Sequence, residues 1–225
     1  MENNRSIILL SAGLDSLVSL GLAKEKDNIT LGLTFDYGQK SRDSEINYSK
    51  KICEYYGIEH RVIKLDWLKS VTETSLVSNS EIPTGKNLED LNQSMKSVWV
   101  PNRNGLFLNI AASIADGKGY NKIFIGANKE EGATFSDNTK EFISRVNSEF
   151  EYSTLNKIKV EAPLIDKDKN EIVKLAVENN IPLELVMSCY KGLSEGKHCG
   201  KCESCMRLKS ALMANNADKY LKILF

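Results

Sequence analysis

A short turn of small and polar residues, Ser-Ala-Gly-Leu-Asp-Ser at 11–16, carries the first chemistry that this sequence could perform. It directly follows the apolar run Ile7–Leu10 and precedes a segment with helical character. Backbone N–H groups at such strand–turn–helix junctions bind phosphate oxygens, and the hydroxyls of Ser11 and Ser16 add donors. Asp15 would repel phosphate unless a divalent metal lies between them. The turn predicts a nucleotide pyrophosphate site with Mg²⁺; the alternative is an ordinary junction with an Asp or Ser N-cap.

Four cysteines near the end of the chain form a second candidate site. Cys199, Cys202 and Cys205 are separated by two residues each, and Cys189 lies upstream of them. This spacing is typical of tetrahedral Zn²⁺, with Gly200 allowing a tight knuckle in which amide N–H groups bond the sulfurs. An iron–sulfur cluster is the main alternative, but a ferredoxin-like run would need a further cysteine followed by proline, and neither is present. Because closed four-cysteine sites are usually structural, we expect a structural zinc.

Other residues near the cysteines, and one cysteine outside the group, have simpler interpretations. We expect Lys201 and Arg207 to offset the negative charge of four thiolates. His198 could replace one thiol as a ligand, although its position next to Cys199 would strain such a site. Cys53 falls inside a predicted helix and is interpreted as an ordinary core thiol.

Apolar runs alternate with amphipathic segments along the chain, which is typical of a parallel α/β sheet. The predicted strands are Ile7–Leu10, Ile29–Phe35, Arg61–Leu65, Lys122–Ile125 and Ile158–Ala162. The predicted helices are Asp15–Lys26, Asp43–Tyr56, a segment from Pro101 through Ala115, Glu141–Phe150, Asp168–Asn179 and the tail from about Glu203. Residues 66–97 are expected to form a long excursion that serves as a lid or substrate element.

The expected sheet places ligands at the carboxyl ends of its strands. Ser11, Asp36 and residues 126–128 all follow predicted strands there. The charged residues 129–131 come next and are either solvated surface or part of the border of the site. Because the composition changes at residue 188, we expect an α/β domain over 1–187 and a metal-binding subdomain over 188–225.

Composition limits the classes of function. The 225 residues contain 30 basic and 30 acidic side chains, and this balance argues against a protein that binds long nucleic acid. The N-terminal residues lack a secretory apolar segment, and no run approaches the ~18 apolar residues of a membrane span. We therefore expect a cytoplasmic protein with no membrane partner, in which five cysteines indicate metal binding or catalysis rather than disulfides.

Five motifs together resemble a known family. They are S-A-G-L-D-S at 11–16, F-D-Y-G-Q at 35–39, V-P-N-R-N at 100–104, I-G-A-N at 125–128, and S-C-Y-K-G through C-G-K-C-E-S-C-M-R at 188–207. The first resembles the pyrophosphatase loop of ATP-activating enzymes. In this order and spacing, the set resembles the 7-cyano-7-deazaguanine synthases over about residues 5–207.

The resemblance implies a doubly wound parallel sheet of the adenine-nucleotide alpha-hydrolase-like type, a C-terminal zinc knuckle with a helix, and usually a homodimer. It also implies a C–N bond-forming ligase of the queuosine and archaeosine pathway. Such an enzyme converts 7-carboxy-7-deazaguanine and ammonia to the nitrile with ATP and Mg²⁺, through an activated carboxylate and an amide intermediate.

The family's functional residues carry over by position. The resemblance implies catalytic roles for Ser11, Asp15 and Ser16. It implies ATP binding by Leu10, Ser11, Ala12, Gly13, Leu14, Asp15, Ser16 and Arg103. It implies substrate binding by Tyr37, Gln39, Asn104 and Asp137, and zinc binding by Cys189, Cys199, Cys202 and Cys205.

The chain departs from the family pattern at three places. Ala12 replaces a glycine, which would matter only if the backbone needs a positive φ angle there. Ser41 stands where the family commonly has histidine, and Asn138-Thr139 replaces Cys-Arg. Two alternatives therefore stay open: a sister ATP pyrophosphatase that acts on another base or on tRNA, and a nucleic-acid-binding zinc-knuckle module. The zero net charge and few aromatic residues disfavour direct nucleic-acid binding.

Overall fold

The computed structural model describes residues 5–78, 80–82, 97–193 and 196–225. Five parallel strands form a sheet in the order β3-β2-β1-β4-β5. The strands are β1 (Arg5–Leu9), β2 (Asn28–Asp36), β3 (Glu59–Lys64), β4 (Lys122–Phe124) and β5 (Lys159–Glu161). The helices are α1 (Leu14–Lys24), α2 (Arg42–Tyr56), α3 (Arg103–Lys118), α4 (Lys129–Gly132), α5 (Lys140–Ser153), α6 (Lys169–Glu178), α7 (Glu203–Ala214) and α8 (Asp218–Leu224).

The central strand β1 separates two apolar layers, as its near-continuous hydrophobic sequence predicts for a parallel strand buried on both faces. Ile8 packs in the layer that contains residues of α1, α2, α6 and α7. Ile7 packs in the opposite layer with residues of α3 and α5. Both side chains are fully buried. Helices therefore cover both faces of the sheet, which confirms the expected doubly wound α/β fold.

All five predicted strands and the main predicted helices are present, with ends displaced by a few residues. Two local features differ from expectation. The short helix α4 follows β4, and the tail divides into α7 and α8 because Asn216 adopts a left-handed conformation with φ of 52°. The predicted excursion over 66–97 begins with a 3-10 turn at Leu68–Val71, whereas its part at 83–96 lies outside the described residues.

The tail shares its core with the rest of the chain. Cys202, Leu208 and Leu212 belong to the same apolar cluster as Leu17 of α1 and Ile172 of α6. The division at residue 187/188 stays a prediction. Among the described helices, none combines the length and the apolar character that crossing a membrane requires.

The switch in strand order places the start of α1 against the end of β4. A Cβ atom on Gly126 would lie 2.7 Å from the Ser16 backbone nitrogen and 2.8 Å from the Asp15 carbonyl carbon. Real Cβ atoms do not approach backbone atoms this closely, so only glycine fits at this point without a shift. The conformation of the β1–α1 loop therefore depends on a residue without a side chain, Gly126, in the neighbouring crossover.

We predict that Gly126→Ala lowers the free energy of unfolding by about 1–3 kcal/mol, since overpacking forces the backbone apart. Urea denaturation followed by circular dichroism measures this. The matched control is Gly117→Ala in α3, where an added Cβ meets nothing within 4 Å. It should gain up to about 1 kcal/mol from helix propensity. Equal stability of Gly126→Ala and wild type would contradict the packing argument.

Candidate active site

The β1–α1 loop is held by its own hydroxyl groups. The Ser16 hydroxyl donates to the Gly13 carbonyl oxygen at 3.1 Å and lies 3.4 Å from the Ser11 hydroxyl. Gly13 is the N-cap of α1 and makes no side-chain cap, so the alternative with an Asp or Ser N-cap is wrong. The N-cap side chain therefore does not occupy the backbone donors that a helix start offers to an anion, although the Leu14 N–H donates to the Ser188 hydroxyl at 3.4 Å.

Ala12 forms the sharpest bend of this loop. Its φ angle is 59°, and its carbonyl oxygen accepts a hydrogen bond from the Met187 N–H at 2.7 Å. A left-handed conformation costs an L-residue roughly 1–2 kcal/mol, a cost that glycine avoids. Ala12 therefore strains the backbone at a position where the resemblance implies glycine. A positive φ angle was the condition under which this replacement was expected to matter.

Lys169, the first residue of α6, lies between two carboxylates. Its Nζ atom is 2.5 Å from Asp15 Oδ2 and 3.1 Å from Glu131 Oε1. Burial raises the pKa of Asp15 to about 6, against the opposing charge of Lys169. Burial also acts to raise the pKa of Glu131, but Lys169 outweighs it and the pKa falls below its usual value. Both carboxylates are therefore mainly ionised at neutral pH.

Sequence reasoning missed Lys169, although one signal could have found it. Asp168 and Glu171 form a capping box that fixes the start of α6. Lysine then follows at the first helical position, where the helix dipole disfavours a cation. A cation placed there has to be stabilised by other groups, and here Asp15 and Glu131 provide that stabilisation.

Asp15 also has an unused atom. Its Oδ1 is buried and lacks a hydrogen-bond partner within the described parts of the chain. A buried carboxylate oxygen without a partner is costly, so it is suited to a ligand. With the hydroxyls of Ser11 and Ser16 nearby, the donor set consists of oxygen atoms, which Mg²⁺ prefers. These residues fit the divalent cation that the sequence predicts.

Arg103 begins α3 at the other end of the site. Its Nη1 lies 3.4 Å from the Tyr37 hydroxyl oxygen. Burial acts to lower the pKa of Arg103, but Tyr37 and Asp137 raise it above the usual value. The side-chain amide of Asn104 donates to the backbone oxygen of Asp137 at 3.3 Å. The structure thus brings Tyr37, Arg103 and Asn104, which come from two of the motifs, together with Asp137.

The departure at Asn138-Thr139 has a local explanation. The Asn138 amide donates to Asp137 Oδ1 at 2.9 Å, while burial raises the pKa of the Asp137 carboxyl against the charge of Arg103. Thr139 is the N-cap of α5 and accepts from the Phe142 N–H. Asn138 therefore orients a carboxylate in the site, and Thr139 starts helix α5.

Gln39 makes its contacts inside the protein. Its amide nitrogen donates to the Phe35 carbonyl oxygen at 3.0 Å and to Glu45 Oε2 at 2.7 Å. Its amide oxygen accepts from the Tyr37 N–H at 3.0 Å. The donors of Gln39 are thus occupied inside the protein, and its contact with substrate stays a prediction. Ser41, another departure, donates to Glu45 Oε1 at 2.5 Å.

A cavity of about 290 Å³ connects these groups. Its wall includes, among the predicted residues, Leu10, Ser11, Gly13, Leu14, Asp15, Ser16, Tyr37, Gln39, Arg103, Asn104 and Asp137. Ala12 is fully buried behind the loop. The rings of Phe35 and Phe107 stack with centroids 4.0 Å apart, and those of Trp99 and Phe135 stack at 5.6 Å. The wall therefore combines a polar end with aromatic surfaces.

The four predicted metal ligands converge beside this cavity. The sulfur atoms of Cys189, Cys199, Cys202 and Cys205 all lie within 4.8 Å of one another. A tetrahedral Zn²⁺ with bonds of about 2.3 Å would place its sulfurs roughly 3.8 Å apart. Backbone N–H groups of Lys201 and Cys202 donate to Cys199 Sγ at 3.5 and 3.4 Å. The cluster could therefore hold a metal ion.

Residues near the cluster have other partners. His198 accepts the Ser188 N–H at Nε2, and its Nδ1 lies 2.9 Å from the Leu224 carbonyl oxygen, so it is not a ligand. Arg207 lies 2.5 Å from Glu203 Oε1 and 3.8 Å from Glu130 Oε2. Its charge is thus balanced by carboxylates, a different arrangement from the expected compensation of the thiolates.

Comparison with known proteins agrees with the geometry. The family model "Queuosine biosynthesis protein QueC" matches residues 5–216. The 7-cyano-7-deazaguanine synthase of Carboxydothermus hydrogenoformans is 52% identical over 215 residues, which cover 94% of this chain and 99% of that one. The protein of the same name from Methanosarcina barkeri is 48% identical over 213 residues, which cover 90% and 91%.

A solved structure supports the fold alone. A 4-thiouridine synthetase in complex with RNA and bound ATP aligns with a TM-score of 0.50 and 18% identity, over 98% of this chain and 53% of that one. The expected parallel sheet with a C-terminal four-cysteine cluster is confirmed. The match over nearly the whole length also confirms the resemblance, and the chain belongs to the QueC family of queuosine biosynthesis proteins.

Proposed function

We propose that this chain uses ATP to convert 7-carboxy-7-deazaguanine and ammonia to 7-cyano-7-deazaguanine, the product in the name of its relatives. One observation carries the proposal beyond family membership. A single cavity joins the β1–α1 loop, with Asp15 and Lys169, to a polar and aromatic end that contains Arg103 and Asp137. A nucleotide and a planar base could therefore meet in one site.

The reaction needs ATP because a carboxylate oxygen is a very poor leaving group. Coupling that oxygen to phosphate makes it a good one, and ammonia then displaces it to give an amide. Activation of the amide oxygen in a second step allows its loss together with two N–H protons, which leaves the nitrile. The contribution of the protein is to orient the reactants and to stabilise the charge on phosphate.

The phosphate end is proposed to use the β1–α1 loop. Gly13 and the first turn of α1 would offer backbone N–H groups to the pyrophosphate, and Ser11 and Ser16 would add hydroxyl donors. Asp15 would hold Mg²⁺ through its unpaired Oδ1. The metal supplies neutralisation of phosphate charge when it is bound. Leu10 and Leu14 would line the same end.

The base end is proposed to use the groups around Arg103. The guanidinium can pair bidentately with a carboxylate or phosphate oxygen. Asp137 would accept a hydrogen bond from the base, with Asn104 supporting its turn and Tyr37 supporting Arg103. Aromatic surfaces in the cavity would contact the face of the base. These contacts would orient the carboxylate toward the activated phosphate.

The cysteine cluster is proposed to hold structural Zn²⁺. A closed set of four sulfurs leaves no position for substrate, and N–H groups already donate to Cys199 Sγ. The metal would tie the segment that contains Cys189 to the start of α7. Ammonia as the nitrogen donor and a homodimeric assembly complete the proposal, and both rest on the family resemblance.

The central test is the reaction itself. Wild-type protein loaded with zinc should form the nitrile from the carboxylated base, ammonia, ATP and Mg²⁺, as detected by mass spectrometry. Asp15→Asn should lower kcat/KM by at least about 100-fold, because it removes a charged metal ligand. The exposed Asp43→Asn serves as the matched control. Absence of nitrile with wild type would overturn the proposal, and pyrophosphate release with tRNA alone would favour the sister-enzyme alternative.

A second prediction concerns Lys169. Lys169→Met should weaken binding of ATP with Mg²⁺ by at least about 10-fold, since two buried carboxylates lose their shared cation and repel phosphate. Calorimetric titration with a non-hydrolysable ATP analogue measures this. Lys174, on the same helix, pairs with exposed Glu178, and Lys174→Met should bind ATP like wild type. Unchanged affinity in Lys169→Met would contradict the role given to this cation.

A third prediction concerns the metal. Cys202→Ser should lose bound zinc, measured by mass spectrometry of the metal, and should lower the free energy of unfolding by at least about 2 kcal/mol. Chelation of the wild-type protein should have the same effect. The control Cys53→Ala removes a buried thiol outside the cluster and should keep its zinc. A metal-free variant as stable as wild type would exclude a structural role.

A further inference from the structure

Glu45 of α2 lies in the cavity wall, and neither the sequence motifs nor the proposed reaction gives it a task. Its two oxygens are held by neutral donors, with the Ser41 hydroxyl on Oε1 and the Gln39 amide on Oε2. Gln39 is 2% exposed and is itself fixed by backbone groups. The two hydrogen bonds therefore hold the Glu45 carboxylate in a fixed position in the cavity wall.

The carboxyl group of Glu45 keeps unused hydrogen-bonding capacity. Burial raises its pKa, while the hydrogen bonds from Ser41 and Gln39 and the charge of Arg103 act against burial. A carboxylate can accept about four hydrogen bonds, and these two donors occupy half of that capacity. An ionised group in such a site gains stability from additional donors. Glu45 thus favours a ligand that presents N–H groups.

The neighbours of Glu45 narrow the chemistry of that ligand. Arg103 acts to lower the pKa of Tyr37, and Tyr37 raises the pKa of Arg103, because the two side chains lie close together. The Glu45 carboxyl acts to raise the pKa of Tyr37. The stacked Phe35–Phe107 pair provides an aromatic surface in the same wall. An acceptor, a cationic donor and an aromatic surface together complement a planar ring with adjacent donors and an acceptor. The N1–H, 2-amino and O6 groups of a guanine-type base form this pattern.

We propose that Glu45 accepts the N1–H and 2-amino hydrogens of a guanine-type base and thereby determines the base specificity of the site. This inference rests on the proposed function and deepens it. Asp137, the other carboxylate at this end, is less suited to the task. At Asp137, the charge of Arg103 is the main influence that acts against the increase in pKa caused by burial. The Asn138 amide already donates to Asp137 Oδ1. Ser41 and Gln39 act through Glu45 as positioning residues.

The test compares two bases that differ by the 2-amino group. Calorimetry with Mg²⁺ and a non-hydrolysable ATP analogue should show that wild type prefers 7-deazaguanine to 7-deazahypoxanthine by at least about 10-fold, as expected for a charge-assisted hydrogen bond. In Glu45→Gln this preference should fall below about 3-fold. Glu54→Gln, which changes an exposed carboxylate on the same helix, is the matched control and should keep the preference. A preserved preference in Glu45→Gln, or its loss in Glu54→Gln, would overturn the inference.

Two further measurements separate this result from folding and from the proposed function. Glu45→Gln should bind the ATP analogue like wild type, which shows that the phosphate end is intact; if Glu45→Gln does not fold, Glu45→Asp replaces it and should also lose the preference. Nitrile formation by wild type tests the function independently. Discrimination between the bases without nitrile would refute only the function, whereas nitrile without dependence on Glu45 would refute only this inference.

Discussion

The contact on which the site depends most is the buried cluster of Lys169, Asp15 and Glu131. It joins three crossovers of the sheet, because Asp15 follows β1, Glu131 follows β4 and Lys169 follows β5. Burying an ion pair is repaid only when the geometry is good, and removing one partner leaves an uncompensated charge. Each of the three helix starts is therefore held in place by the other two. The cluster fixes the positions of the three helix starts more than it adds to the net stability of the fold.

Backbone constraints define the phosphate end, whereas side-chain contacts define the base end. The β1–α1 loop is shaped by the left-handed Ala12 and by the close approach of Gly126 to the start of α1. Small changes of sequence there alter where N–H groups lie. At the base end, Arg103 and Glu45 are held by hydroxyl and amide groups. The geometry of the proposed phosphate end therefore depends on backbone conformation, and that of the proposed base end depends on side-chain hydrogen bonds.

Local patterns were sufficient to predict the strands, the turn between β1 and α1, and the convergence of the four cysteines. Each of these is encoded within a few residues by apolar runs, small residues or regular spacing. Lys169 and Glu45 were not predicted, because their roles arise from contacts between distant segments. Lys169 is 154 positions from Asp15 along the chain. The motif predicted that Gln39 binds substrate, which stays a prediction, but it did not predict that the Gln39 amide donates to Phe35 and Glu45. The motifs predicted which segments line the cavity, whereas the contacts between their side chains became visible only in the folded structure.

The charge balance of the cavity supports the proposed divalent cation. The described wall contains five carboxylates, on Asp15, Glu45, Glu131, Asp137 and Glu203, and three cationic side chains, on Lys169, Arg103 and Arg207. A triphosphate would add further negative charge to this excess of acidic groups. Lys169 is already shared by two carboxylates, so it cannot compensate the phosphates alone. The proposed divalent cation at Asp15 would reduce the repulsion and would leave part of the Lys169 charge for phosphate. The same acidic excess at the base end suits a neutral ring rich in N–H groups.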